Sequence, residues 1–167
     1  RLWLHTCNPL LSSLISEHIG NAWVSNLEYI KGIENYIDDA NFRASFFEIK
    51  AINKKALSKH IYRETGIRTR VDSIFDVQIK RLHEYKRQLL NVLGTIARYY
   101  RIKENPSAFF VPRTVIFAGK AAPGYFLAKR LIKLINNLGE VVNKDPDMRD
   151  RLKVVFMPNY TVSLAEK

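Results

Sequence analysis

Val77-Gln78-Ile79-Lys80-Arg81-Leu82-His83-Glu84-Tyr85-Lys86-Arg87-Gln88-Leu89 passes from a β-rich run into a helical one through a short basic turn. The same change of period continues down the chain. Strand-like runs at 75–81, 114–118 and 152–157 alternate with helical patterns at 84–103 and 124–142. Strands separated by helices of that length pair in parallel through right-handed crossovers. The expected class is therefore α/β, a partial doubly wound, Rossmann-like parallel sheet. Three strands are few for a finished sheet, and residues 163–167 read as the first turn of another helix, so a cut inside a larger domain is expected.

Upstream, residues 1–70 read as a mainly helical segment leading into the sheet domain of residues 71–167. Asn8-Pro9 is a cap followed by a first-turn proline, and Leu10, Leu11, Leu14, Ile15 and Ile19 recur at helical spacing up to Gly20. A second helix is expected over 26–36. A third is capped by Asp38 or Asp39, carries Phe42, Phe46, Ile49, Ile52, Ala56 and His60 on one side, and stops at Gly66. Leu2-Trp3-Leu4 reads as a short strand, with Trp3 in the core.

Composition narrows the function classes. With 47% hydrophobic and 26% charged residues, the chain is globular rather than disordered. Cys7 is the only cysteine, so no internal disulfide forms, and no signal peptide or roughly 20-residue apolar span is visible. A soluble chain of the reducing cytoplasm is expected, with no membrane partner. The net charge of +11 points to an anion met by this surface. His5, His18 and His60 have no partners at metal-ligand spacing, so no metal site is expected.

In open α/β sheets, ligands bind beyond the carboxyl ends of the strands. Three turns are read there: 80–87, 119–124 and 158–162. The first gathers Lys80, Arg81, His83, Lys86 and Arg87. Cations at a helix amino terminus oppose its dipole by about 0.3–1 kcal/mol each, which suggests a bound anion such as phosphate. The alternative is a solvated basic helix end, with Lys86 and Arg87 turned away from a Leu89, Leu93, Ile96 and Tyr100 face. In the second turn, Gly119 and Gly124 flank Lys120-Ala121-Ala122-Pro123 and allow close backbone approach to a ligand. It lacks phosphate-loop and dinucleotide-fingerprint spacing, so a plain strand-to-helix turn is equally open.

Four motifs, taken together, resemble the α-glucan (glycogen or maltodextrin) phosphorylases. They are the 77–89 run, Val111-Pro112-Arg113-Thr114, Gly119-Lys120-Ala121-Ala122-Pro123-Gly124-Tyr125, and Pro158-Asn159-Tyr160-Thr161-Val162-Ser163-Leu164-Ala165-Glu166-Lys167. Residues 1–9 resemble the family's Arg-Trp-Leu…Cys-Asn-Pro segment. The resemblance implies a two-domain GT-B-type glycosyltransferase with pyridoxal phosphate at the domain interface, this chain being the start of the carboxyl-terminal domain. It implies a parent that cleaves terminal α-1,4-glucosyl units with inorganic phosphate to give glucose 1-phosphate, and that is a cytoplasmic homodimer of an allosteric enzyme family.

By the same resemblance, Arg81 and Lys86 bind the substrate phosphate, Lys80 touches the cofactor phosphate, and Trp3 and Tyr160 neighbour the cofactor. Tyr85 lines the sugar-phosphate site and Tyr125 stands at the active-site mouth. Thr161 departs from members with a basic residue there. The family's Schiff-base lysine lies downstream of Lys167, and the glucan-binding domain lies outside this chain, so the fragment alone is expected to be inactive. Two other readings are a sugar-nucleotide glycosyltransferase and a nucleic-acid-binding module. The second is disfavoured because the aromatics fall at core spacing rather than beside the cations.

Overall fold

Thr114-Val115-Ile116-Phe117-Ala118 is apolar at every position but the first, as suits a strand covered on both faces. In the computed structural model, which describes residues 2–167, it lies in the middle strand of a three-stranded sheet. The elements run α1 (Leu2–Cys7), α2 (Pro9–Ile19), α3 (Ala22–Ser25), α4 (Ala40–Thr65), β1 (Ile74–Ile79), α5 (Gln88–Glu104), β2 (Arg113–Ala118), α6 (Phe126–Lys144), β3 (Leu152–Met157) and α7 (Val162–Ala165). They form two compact units, one of residues up to Ala56 with Glu166–Lys167, the other Leu57–Ala165.

Every element of the first unit is a helix among the described residues. Its α2 is capped as the sequence implies: Asn8 Oδ1 accepts from the Leu11 N–H at 3.3 Å, Pro9 opens the helix, and Gly20 ends it at φ 73°. Asp39 Oδ1 accepts from the N–H groups of Asn41 and Phe42 at 2.8 and 3.1 Å, which starts α4. Those two amides, Phe42 first, hold the Asp39 carboxyl below its ordinary range. Residues 27–36 wind as a 3₁₀ helix rather than an α-helix, with Asn26 capping Glu28.

Two expectations fail in this unit. Leu2-Trp3-Leu4 is helical, because a strand with no partner leaves its backbone unpaired whereas α1 satisfies it locally. Trp3 is 53% exposed; the core tryptophan is Trp23, whose indole N–H donates to Ser16 Oγ at 3.0 Å. On α4, Phe42 is buried, but Ile52 and Ala56 of the expected face are exposed. Arg1, in the segment of resemblance, lies outside the described residues.

In the second unit the strands are parallel in the order β1-β2-β3, with Val77 opposite Ile116 and Ile116 opposite Val155. Successive crossovers step the same way across the sheet, so α5 and α6 cover one face. There Val92, Ile102, Ala128, Ile135 and Val142 pack on Val115, Phe117 and Val154. The opposite face, Ile116, Ala118, Val155 and Met157, is covered by Ile61 of α4 and Leu164 of α7. Fully burying each such side chain contributes about 1.5–3 kcal/mol.

The helix expected at 84–103 begins late. Glu84–Lys86 is a single 3₁₀ turn, Arg87 takes the left-handed conformation at φ 60°, and only then does α5 start. Its inward face is Gln88, Val92, Thr95 and Ile102, whereas Leu89, Leu93 and Tyr100 are exposed, so the expected face is rotated. Among the described residues no helix is long and apolar enough to cross a membrane.

Candidate active site

The polypeptide leaving β1 stays tied to β2 past the strand ends. The Lys80 N–H donates to Ala118 O at 3.1 Å and the Leu82 N–H to Lys120 O at 3.2 Å. Leu82 drops into the core while Lys80 and Arg81, just before that anchor, are exposed. The close approach decides the residue at 119: a Cβ there would lie 2.2 Å from the Lys80 carbonyl oxygen and 2.8 Å from Leu82 Cδ1. The Gly119 of the second turn is thus required by chain-to-chain contact. Gly124 faces open space, and α6 begins two residues later than the pattern suggests.

Two glutamine side chains clamp the basic turn from below. Gln88, 2% exposed, donates from Nε2 to Arg81 O at 3.1 Å and accepts the His83 N–H at 3.4 Å. Gln78 points off β1 toward α5, accepts from Asn91 Nδ2 at 3.0 Å and donates to Lys86 O at 3.1 Å. The carbonyls of the two residues expected to bind phosphate are therefore each held by a neutral amide. Sequence reading did not find these clamps. The available signal was a glutamine between Val77 and Ile79 in β1.

The aromatic residues close one side. His83 stacks at 4.2 Å on Tyr85 and 5.1 Å on Tyr125, ring centre to ring centre, and Tyr125 Oη accepts the Glu84 N–H at 3.3 Å. Tyr85 is 69% exposed, and the Lys86 ammonium sits 5.6 Å from its ring centre. Beside them His83, Glu84, Tyr125, Leu127, Leu131 and Leu134 line a cleft of about 220 Å³, and His83 Nδ1 is buried without a hydrogen-bond partner.

Among the described residues, no carboxylate comes within ion-pair distance of Lys80, Arg81, Lys86 or Arg87. Four cations on one short turn without acid partners repel one another, and an anion relieves that repulsion. Because α5 begins only at Gln88, these charges sit on the turn ahead of the helix rather than in its first turn.

The third turn lies beyond β3, at the same end of the sheet. Tyr160 is half-buried against the Ile61 and Leu164 cluster. Thr161 Oγ1 accepts the Leu164 N–H at 3.3 Å, so the residue that departs from the family pattern caps α7. The structure thus brings Lys80, Arg81, Tyr85, Lys86 and Tyr125 into one loop system and places Tyr160 after β3, with β2 between it and β1. Trp3 belongs to the other unit, on α1. No group of three or more metal-ligating side chains gathers among the described residues.

Comparison with known proteins gives a match along the full length. A sequence model of the family described as "Carbohydrate phosphorylase" covers residues 1–167. The chain is 49% identical over all 167 residues to the muscle form of glycogen phosphorylase of Bos taurus, and 48% identical over 167 residues to glycogen phosphorylase of Synechocystis. It is 49% identical over 166 residues, 99% of the chain, to glycogen phosphorylase of Chlamydia pneumoniae. In each case it covers 20% of the relative's length, about a fifth of those proteins.

Proposed function

The chain belongs to the carbohydrate phosphorylase family, and on that premise we propose that the intact enzyme releases glucose 1-phosphate, with retention, from the end of an α-1,4-glucan by inorganic phosphate. The observation that carries this reading is the turn of Lys80, Arg81, Lys86 and Arg87, a cluster of cations without carboxylate partners at the carboxyl end of β1. The sugar-nucleotide and nucleic-acid alternatives gain no support from a whole-chain match to phosphorylases.

Arg81 and Lys86 hold the substrate phosphate. Arg81 offers a forked pair of donors and Lys86 a compact charge able to follow negative charge as it develops. Lys80 would hold the phosphate of pyridoxal phosphate and Tyr160 would neighbour the cofactor, and the family resemblance gives Trp3 the same role. The residues fit such a group: Lys80 is exposed, with no carboxylate at ion-pair distance among the described residues, and Tyr160 is a half-buried aromatic at the same sheet end. When bound, the cofactor supplies its 5′-phosphate to proton transfer. Two phosphates held close together in a partly dry site repel by several kcal/mol, roughly, which is why several converging cations are needed. Tyr85 lines the sugar phosphate, Tyr125 stands at the mouth, and the enzyme assembles as a homodimer.

Full-length protein incubated with glycogen and inorganic phosphate is expected to form glucose 1-phosphate in proportion to phosphate. A preparation that retains its cofactor absorbance yet forms none overturns the reading.

A further inference from the structure

The amino ends of the strands carry a second basic site, about 20 Å from the first given six-residue strands at roughly 3.3 Å per residue. A pocket of about 400 Å³ opens there between residues 66–73, the start of β2 and the turn into β3. Arg68, Arg70, Arg113, Arg149, Arg151 and Lys153 line it, against the single carboxylate of Asp150. Three of the six are engaged elsewhere. Arg70 pairs with Asp72, Arg113 Nη1 with Asp76 at 2.6 Å, and Arg151 Nη2 donates to Pro106 O at 2.6 Å.

The others are not neutralised. Arg68 lies 5.4 Å from the ring centre of Tyr62, and among the described residues Arg149 and Lys153 have no carboxylate within ion-pair distance. The two buried hydroxyls of the lining are spent within the protein: Ser73 Oγ donates to Arg70 O at 2.7 Å and lies 2.9 Å from Thr114 Oγ1, which donates to it. Lys153 is pushed below the ordinary lysine range by burial, with Asp150 opposing and Arg149 adding to the shift. Surplus positive charge and a concave shape of that size are what a phosphate group on a small molecule requires.

We propose that this pocket binds a small phosphate-bearing anion, as a site separate from the substrate-phosphate turn. Arg149 and Lys153 are its principal cations. The site does not depend on the activity proposed above. A concave pocket of about 400 Å³ suits a small anion better than a nucleic-acid strand, which needs an extended groove.

Binding of inorganic pyrophosphate to the full-length protein, followed by titration calorimetry, tests the assignment. In the Arg81→Ala/Lys86→Ala background, which weakens the carboxyl-end site, pyrophosphate is expected still to bind at one equivalent. Adding Arg149→Gln, an exposed change that leaves the core alone, should weaken that binding about tenfold or more, and Lys153→Ala further. Binding should also weaken steeply with salt. Competition by inorganic phosphate and by ribose 5-phosphate then tells free ion from phosphomonoester, and either competitor acting at this equivalent supports the site. No pyrophosphate binding in the Arg81→Ala/Lys86→Ala background, or binding unchanged by Arg149→Gln and Lys153→Ala, overturns the proposal. Duplex DNA displacing the probe with the higher affinity overturns it as well.

Discussion

The side-chain amide of Gln88 spans the basic turn, donating to the Arg81 carbonyl oxygen at 3.1 Å while accepting the His83 N–H at 3.4 Å. The residue after the turn thereby sets the backbone that aims Arg81. Gln88→Met keeps the length and loses both bonds. The expected result is a phosphate KM raised about 10- to 100-fold with glucan KM nearly unchanged, since small misplacements at a phosphate site are costly. Gln88→Glu keeps the acceptor for His83 and should fall between. Equal changes in both KM values would mean that Gln88 supports the fold only.

Gly119 tests how tightly β1 and β2 are joined beyond their ends. In Gly119→Ala the new methyl carbon meets the Lys80 carbonyl oxygen at 2.2 Å, too close to absorb without moving backbone. A loss of about 2–4 kcal/mol is expected in urea unfolding. Gly139→Ala, where the nearest atom is Val154 O at 3.3 Å, should cost clearly less. Equal midpoints for the two variants would contradict the account of the strand ends.

Much of the sheet was legible because its signals are local. An apolar run such as 114–118, or the caps at Asn8 and Asp39, needs no knowledge of distant residues. The facing of α5 was not legible. Leu89, Leu90 and Leu93 compete with Val92 and Ile102 as apolar stripes, and only packing on the sheet decides between them. In the site, the cations announced themselves by charge. The glutamine clamps and the contact that demands Gly119 are tertiary, and glutamine at a helix start reads as an ordinary helix former.

Asp145 gives a pH prediction. The Tyr99 hydroxyl donates to Oδ2 at 2.7 Å, the Asp147 N–H to Oδ1 at 2.9 Å and the Lys103 ammonium to Oδ2 at 3.1 Å, and together, in that order, they hold the carboxyl below its ordinary range. Its folded value lies below its unfolded one. The stabilisation is therefore present above about pH 4 and is lost as pH falls through the folded value. Lys103, raised by its hydrogen bonds to Asp147 and Asp145, stays charged throughout that window. Asp145→Asn should show a flatter decline of urea midpoint between about pH 4 and 2 than the parent protein. Parallel declines would remove Asp145 from the acid transition.

The role proposed for the turn after β1, holding the reacting phosphate, is measured by phosphorolysis with Arg81→Ala and Lys86→Ala in full-length protein, cofactor content being checked by absorbance. Both side chains lack carboxylate partners among the described residues, so their removal leaves no buried acid exposed to unfold the site. A fall of about 100- to 1,000-fold in kcat for each, with cofactor retained, is the predicted result. Turnover at the parent rate in both variants, with cofactor retained, would contradict it.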